Sequence, residues 1–313
     1  MFDARESGTA DAAAAFASLR GLALGDGFGE RWFFRGNREA IEMIQHRTTP
    51  GDQPWHWTDD TVMALALLQV LVAHGEVEQQ ALATSFAEAH AADPYRGFGH
   101  GMHVLLPKLL DDPGNWATYA RTLFGNEGSL GNGAAMRAAP LGAWFRRDPE
   151  KAAAQALLAA EITHAHPEGI AGGVAVAVAA ALAAGSGSAA GAGAAWEPRA
   201  FLTATAELTP AGVIRDSLLS AAGLPPDTPA WKASDILGNG RRIRASDTVA
   251  FATWSAAHHL DSLTDALWTT AEGLGDVDTT CAITGGIVAA RTGLRGVAAR
   301  WVELAEALPE WVG

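Results

Sequence analysis

Residues 57–71, WTDDTVMALALLQVL, decide the reading of the fold. After the polar opening the run is rich in Ala and Leu rather than in alternating β-branched residues, and it is so evenly apolar that its helix must be buried on nearly all sides. Residues 275–290, GDVDTTCAITGGIVAA, repeat the arrangement: acids first, then an apolar run in which Gly285 and Gly286 permit close helix contact. Outward from these, residues 65–73, 79–92, 149–162, 248–259, 261–271 and 298–308 have helical length and composition, and nothing reads as a sheet. The Pro- and Gly-rich interruptions at 185–198 and 223–231 read as surface loops, because the helical pattern resumes after each with no change of composition. No fixed-period repeat is visible. The expectation is an all-α fold, a compact multi-helix bundle occupying residues 1–313 as a single domain.

Bulk properties narrow the function. A chain of 313 residues with 49% apolar content can fill a sizeable core. Its formal charge of −13 argues against a general nucleic-acid-binding surface, which needs clustered Lys and Arg. Cys281 is the one cysteine, so no intramolecular disulfide forms. The opening MFDARESGTADAAAAF carries acids and lacks the basic and apolar regions of a secretory signal, so the expected location is cytoplasmic. Residues 170–184, IAGGVAVAVAAALAA, contain no charge but are short and dominated by Ala and Gly; they read as a close-packed buried helix, not a membrane span.

The acids at the helix starts carry the chemistry. Thr58, Asp59 and Asp60 precede one apolar run, and Asp276 and Asp278 precede the other. Either cluster alone is as well explained by capping, since Thr or Asp at a helix start accepts backbone N–H bonds and suits the macrodipole. Together they are harder to dismiss. Desolvating an ionised carboxylate costs several kcal/mol, and neither motif contains a Lys or Arg. A hard divalent cation would offset the charge: carboxylate and hydroxyl oxygens suit Mg²⁺ or Mn²⁺, and these Asp and Thr residues suffice for two ions.

The same motifs carry a resemblance. GLALGDGFGERW (21–32), WTDDTVMA (57–64), RGFGHGM (96–102), GSLGNGAAMRAAPLG (128–142), THAHPEG (163–169) and GDVDTTCAI (275–283), in that order, resemble the ADP-ribosylglycohydrolase family. The resemblance implies an all-helical bundle whose central cleft holds two Mg²⁺ or Mn²⁺ ions, with Thr58, Asp59, Asp60, Asp276, Asp278 and Thr279 as ligands. It implies that Gly97, Gly99 and Gly101 lie against ADP-ribose, where glycine admits close backbone approach. It further implies that Ser129, Gly131 and Asn132 cradle the phosphates, aided by the N-terminus of the helix that follows, and that His164 contacts ADP-ribose. A His-x-His zinc site with His166 lacks further ligands. Asp26 is expected to serve packing or capping.

One position departs from the family. The glutamate that follows the GDxxG block in several members falls here on Phe33, which can neither transfer a proton nor gate a cleft. Glu30, about one helical turn earlier, is the candidate substitute; a solvated surface glutamate is the alternative. The implied reaction is metal-dependent hydrolysis of the bond between ADP-ribose and an acceptor, most readily a protein side chain, with Asp59 or Asp60 taking the proton of the attacking water. The competing readings are a two-metal phosphohydrolase acting on a nucleotide and a non-catalytic, ADP-ribose-binding or structural member of the fold.

Overall fold

A seam of glycines sets the architecture. In the computed structural model, which describes residues 10–34, 36–51, 54–186 and 196–312, the first helix α1 (Ala10–Glu30) lies along the late helix α16 (Val277–Thr292) from Ser18 to Gly29. Gly21, Gly25 and Gly29, spaced one per turn, meet Gly285, Cys281 and Val277 in turn, so the helices run antiparallel. A Cβ on Gly25 would run into the carbonyl of Cys281, and one on Gly285 into the carbonyl of Gly21. Backbones this close leave no room for side chains, and dispersion contacts are made along the seam instead. Ser18 fastens it further, its hydroxyl donating to the Gly286 carbonyl at 2.8 Å.

Between these two, in chain order, come α2 (Asn37–Gln45), α3 (Asp59–His74), α4 (Gln79–Ala92), α5 (His100–Asp111), α6 (Trp116–Asn126), the single turn α7 (Gly133–Met136), α8 (Ala139–Trp144), α9 (Pro149–Glu161), α10 (Pro167–Ser186), α11 (Pro198–Leu208), α12 (Val213–Ala222), α13 (Ala230–Leu237), α14 (Ala245–His258) and α15 (Leu263–Ala271); α17 (Ala299–Leu304) follows. Among the described residues there is no strand, only isolated bridges at Trp55–Ala305 and Gly131–Arg244. Helices α3, α8, α10, α14 and α15 pack around the α1–α16 pair.

Helix α10 is long and apolar enough to cross a membrane, yet 78% of its most apolar window is buried inside the protein. Its burial follows from small residues: Gly142 of α8 lies directly on the Ala177 backbone, leaving no space for a Cβ. The helix is therefore the buried core element expected from its Ala and Gly content.

The expected element at 65–73 falls within α3, that at 79–92 coincides with α4, and that at 149–162 runs one residue past α9. Helix α15 starts two residues later than its pattern suggested, because Ser262 caps it by accepting the Asp265 N–H at 3.3 Å. The helix expected over 298–308 stops at Leu304. Beyond it the backbone is recruited elsewhere: the Trp55 N–H donates to the Leu304 carbonyl at 2.7 Å, and the Glu306 N–H to the Trp55 carbonyl at 3.0 Å. Most of the loop expected at 185–198 lies outside the described residues, and that at 223–231 ends where α13 begins at Ala230.

Candidate active site

The glycine seam delivers the C-terminal end of α1 to the N-terminal end of α16, and α3 begins beside both. Asp26 of α1 is fully buried there. Its carboxylate accepts from the Thr58 N–H (2.9 Å), the Thr61 N–H (3.2 Å), the Thr58 hydroxyl (3.0 Å) and the Thr61 hydroxyl (2.6 Å). Asp26 thus caps α3 from another helix, satisfying N–H groups that a helix start leaves open. The capping expected of Asp26 is what it does, and it ties the end of α1 to the start of α3. The Asp59 N–H donates to the Arg96 carbonyl at 2.7 Å. Arg96 is itself clamped by both oxygens of Glu306 at 2.9 Å and stacks over Trp57 at 3.9 Å, which explains why the chain after Leu304 leaves its helix.

Asp60 is 1% exposed; its Oδ2 lies 3.2 Å from the Thr58 hydroxyl and 3.4 Å from the Thr279 hydroxyl. Asp276 Oδ2 accepts from the Asn132 amide at 2.7 Å. Two buried oxygens, Asp60 Oδ1 and Asp278 Oδ1, have no hydrogen-bond partner. Buried polar atoms are rarely left so, and the cost is high for a carboxylate. Burial accordingly drives these acids toward the neutral form. Desolvation, with the charge of Asp26 next in weight, pushes Asp59 up to about 8 and Asp60 well above the usual range. Desolvation followed by the charge of Asp276 does the same to Asp278, and desolvation raises Asp276 despite its bond from Asn132. Asp26 is raised to about 6 by burial, against the pull of its hydrogen bonds.

The acids form the floor of a cavity of about 500 Å³. Its walls come from the segment 97–102, the segment 127–133, Arg137, His164 and the segment 242–244. The 127–133 and 242–244 walls are joined, with the Ala245 N–H donating to the Leu130 carbonyl at 3.1 Å. Gly97 sits at φ +94°, and a Cβ there would lie 3.3 Å from Asp59 Oδ1, so this turn needs glycine to reach past the acid. Phe124 (φ 50°) and Ile243 (φ 54°), both exposed, line the cavity in left-handed backbone conformations. Such strain gathers at ligand sites because the surrounding structure must enforce it.

Among the described residues no three His, Cys, Asp or Glu side chains already close on one point as a metal shell. The donor set nonetheless suits a hard cation: oxygen atoms only, carboxylates beside the hydroxyls of Thr58 and Thr279, and unpartnered oxygens on Asp60 and Asp278.

A family model described as ADP-ribosylglycohydrolase matches residues 8–312. The chain belongs to the ADP-ribosylglycohydrolase family. It is 32% identical to ADP-ribosylhydrolase ARH3 of Homo sapiens over 169 residues, 50% of this chain and 46% of that protein. It is 30% identical to ADP-ribosyl-[dinitrogen reductase] glycohydrolase of Rhodospirillum rubrum over 159 residues, 49% of this chain and 52% of that one. The chain thus spans about half the length of the curated relatives it matches. A solved structure titled ADP-ribosylglycohydrolase-related protein complex shares the fold, with a TM-score of 0.66 at 22% identity over 95% of this chain and 93% of that one.

Within this family member the fold brings together Thr58, Asp59, Asp60, Asp276, Asp278 and Thr279 with Gly97, Gly99, Gly101, Ser129, Gly131, Asn132 and His164 about one cleft. Two details qualify the expected phosphate cradle, whose residues do line the cavity. The Asn132 side chain faces Asp276 and Thr248 (2.7 and 3.1 Å), so its amide steadies a carboxylate rather than standing free for a phosphate. The helix after it, α7, is a single turn, too short to carry the macrodipole that was to favour a pyrophosphate. Glu30 ends α1 and is half-buried, raised to about 7 by desolvation and then by Asp26. It is therefore no plain surface glutamate, though it does not itself line the cavity. Phe33, 49% exposed, faces a separate hollow of about 360 Å³ that shares Asp276 and Ile243 with the cleft.

Arg137 escaped the sequence reading. It is 1% exposed beside Asp59, the cation missing from both acidic motifs, and burial lowers it to about 9. Its place in AAMRAAP, inside an apolar run with no acid nearby in sequence, was the signal available.

Proposed function

We propose that this chain is a divalent-metal-dependent hydrolase that cleaves the glycosidic bond between ADP-ribose and an acceptor, a protein side chain being the favoured acceptor class. The observation that carries the reading is the pair of unpartnered buried carboxylate oxygens, Asp60 Oδ1 and Asp278 Oδ1, on the floor of a cleft walled by glycines. Membership of the family and the names of the relatives support the reaction class.

Thr58, Asp59, Asp60, Asp276, Asp278 and Thr279 would hold two Mg²⁺ or Mn²⁺ ions, with Asn132 fixing Asp276. When bound, such ions supply charge neutralisation and Lewis-acid polarisation of the oxygens they meet. The protein's own groups account for the rest. Asp59 or Asp60 accepts the proton of the water that attacks the C1″ carbon of the distal ribose, the C1″–acceptor bond breaks, and the acceptor leaves carrying the bonding pair and a proton. The remaining carboxylates stabilise the positive charge that grows on the ring. Glu30, raised to about 7 and so about half-protonated near neutral pH, would serve in proton transfer or gating. The exposed Phe124 ring, close over Gly101, offers a flat face to the purine, while Gly97, Gly99 and the Ser129–Gly131 turn let backbone approach the sugar and phosphates.

The test is release of free ADP-ribose, followed by chromatography, from arginine-, serine- and nucleic-acid-linked conjugates with Mg²⁺, with Mn²⁺ and with chelator. ADP-ribose released from a protein conjugate only in metal supports the reading. Phosphate release from a nucleotide instead would assign a phosphohydrolase, and binding of ADP-ribose with no release from any conjugate would assign a non-catalytic role.

A further inference from the structure

Arg137, Thr163 and His164 form a buried relay whose hydrogen count leaves one arrangement. Arg137 lies with its guanidinium carbon 4.5 Å from the centre of the Phe86 ring and forms no ion pair among the described residues. Its Nη1 donates to the Gly133 carbonyl at 3.0 Å; its Nη2 donates to the Thr163 hydroxyl at 2.7 Å and the Ala159 carbonyl at 3.3 Å. A guanidinium only donates, so the Thr163 oxygen accepts there. The single hydroxyl hydrogen of Thr163, a fully buried residue, has one acceptor among the described residues: His164 Nδ1, 2.7 Å away. Nδ1 is then the bare nitrogen, and the ring's proton sits on Nε2.

That second nitrogen faces the cleft. A Cβ on Gly133 would lie 3.1 Å from Nε2, and one on Gly131 would lie 3.4 Å from it, so these glycines leave the donor edge of the ring uncovered. Burial, and then the charge of Arg137, lower His164 to about 3, which keeps the ring neutral.

We propose that Arg137 and Thr163 are positioning residues that fix His164 as its Nε2–H tautomer, a permanent neutral donor aimed at an anionic or hydroxyl oxygen of the ligand between Gly131 and Gly133. The ligand half of this statement rests on the assignment of His164 to the ADP-ribose cleft; the tautomer half does not. Because Arg137 holds the Gly133 carbonyl with the same guanidinium, it sets both the donor and the turn that the donor faces. Asp59 offsets the charge of Arg137, while the hydrogen bonds of its guanidinium go to Gly133, Ala159 and Thr163.

The experiment uses the full chain labelled with ¹⁵N and two-bond ¹⁵N–¹H correlation of the imidazoles, with His164 assigned by loss of its signals in His164→Asn. The parent should show the Nε2–H pattern. Thr163→Val, which keeps the shape and removes the hydroxyl, should give a mixture of tautomers, and Thr163→Ser should restore the parent pattern. Calorimetry with free ADP-ribose should show affinity reduced about 10-fold in Thr163→Val and restored in Thr163→Ser, the scale of one well-formed hydrogen bond. An Nδ1–H pattern in the parent, or an unchanged pattern in Thr163→Val, overturns the proposal. A shifted tautomer with unchanged ADP-ribose affinity keeps the relay and overturns the placing of His164 in the ligand site. Should Thr163→Val fail to fold, the parent and Thr163→Ser spectra still decide the tautomer.

Discussion

Asp60 and Asp278 each leave a buried oxygen without a partner, and opposite consequences for activity and stability follow from that one fact. Replacing either by Asn removes a carboxyl whose ionised form burial disfavours, so the metal-free protein should unfold at a higher temperature than the parent. The same change deletes a metal oxygen, and turnover should fall by at least about 100-fold. Thermal melts in chelator, paired with ADP-ribose release in metal, check both halves. A variant that is less stable in chelator would mean that the carboxylate has a partner in solution. Glu30 stands apart because it is half-buried and raised to about 7, by burial first and Asp26 second. Glu30→Gln should lower kcat by about 10²–10⁴-fold, the usual effect of removing a positioned acid or base, while metal affinity stays near the parent's. Parent-like turnover from pH 5 to 9 would remove it from the chemistry.

At the scale of helices, the decisive contacts are the glycines of α1 on α16. Gly25→Ala should destabilise by about 1–3 kcal/mol through overpacking, because its Cβ meets the Cys281 backbone and no flexible side chain can yield. Gly99→Ala, by contrast, puts a Cβ into open space. It should leave the denaturation midpoint unchanged and lower ADP-ribose affinity, a pairing that urea melts and calorimetry separate. The sequence made α3 and α16 legible as buried helices because both are apolar on every side, and their acidic starts were visible at once. The spacing of Gly21, Gly25 and Gly29 was equally visible, yet what it does, bringing Asp26 to Thr58 and Thr61, depends on a partner helix near the other end of the sequence. Arg137 was illegible for the same reason, since nothing local says that AAMRAAP will lie against Asp59. The last helix was overdrawn because amphipathic composition after Leu304 gave no hint that Trp55 and Arg96 would claim that backbone.

For the molecule as a whole, the buried acids make stability depend on pH in a direction unlike that of most carboxylates. Asp26, Glu30 and Asp59, raised chiefly by burial to about 6, 7 and 8, keep their protons in the folded state to a higher pH than in the unfolded chain. At these acids the folded form binds more protons between about pH 4 and 8, so their contribution to the stability of the metal-free protein should fall as pH rises through that window. Saturating Mg²⁺ or Mn²⁺ should cancel the decline and add RT ln(1 + [L]/Kd). Urea titrations with chelator and with metal give the slope between about pH 7 and 8, above the range where the lowered histidines His90, His164, His258 and His259 contribute the opposite sign; a metal-free protein whose stability rises there would mean that the acids are ionised without help.

The antiparallel seam also dictates an order of events during synthesis. Ser18 and Gly286 are hydrogen-bonded across 268 positions of sequence, so α1 leaves the ribosome long before the surface it must cover exists. Until α16 emerges, Gly21, Gly25 and Gly29 form a bare groove, and Asp26 can cap α3 while the other half of the acidic floor is still being translated. Loop closure over such a distance is slow, and exposed apolar helices aggregate while they wait. Nascent chains stalled before residue 277 should thus be chaperone-bound and protease-sensitive, and chains stalled far enough past residue 292 for α16 to clear the exit tunnel should become resistant in a single step.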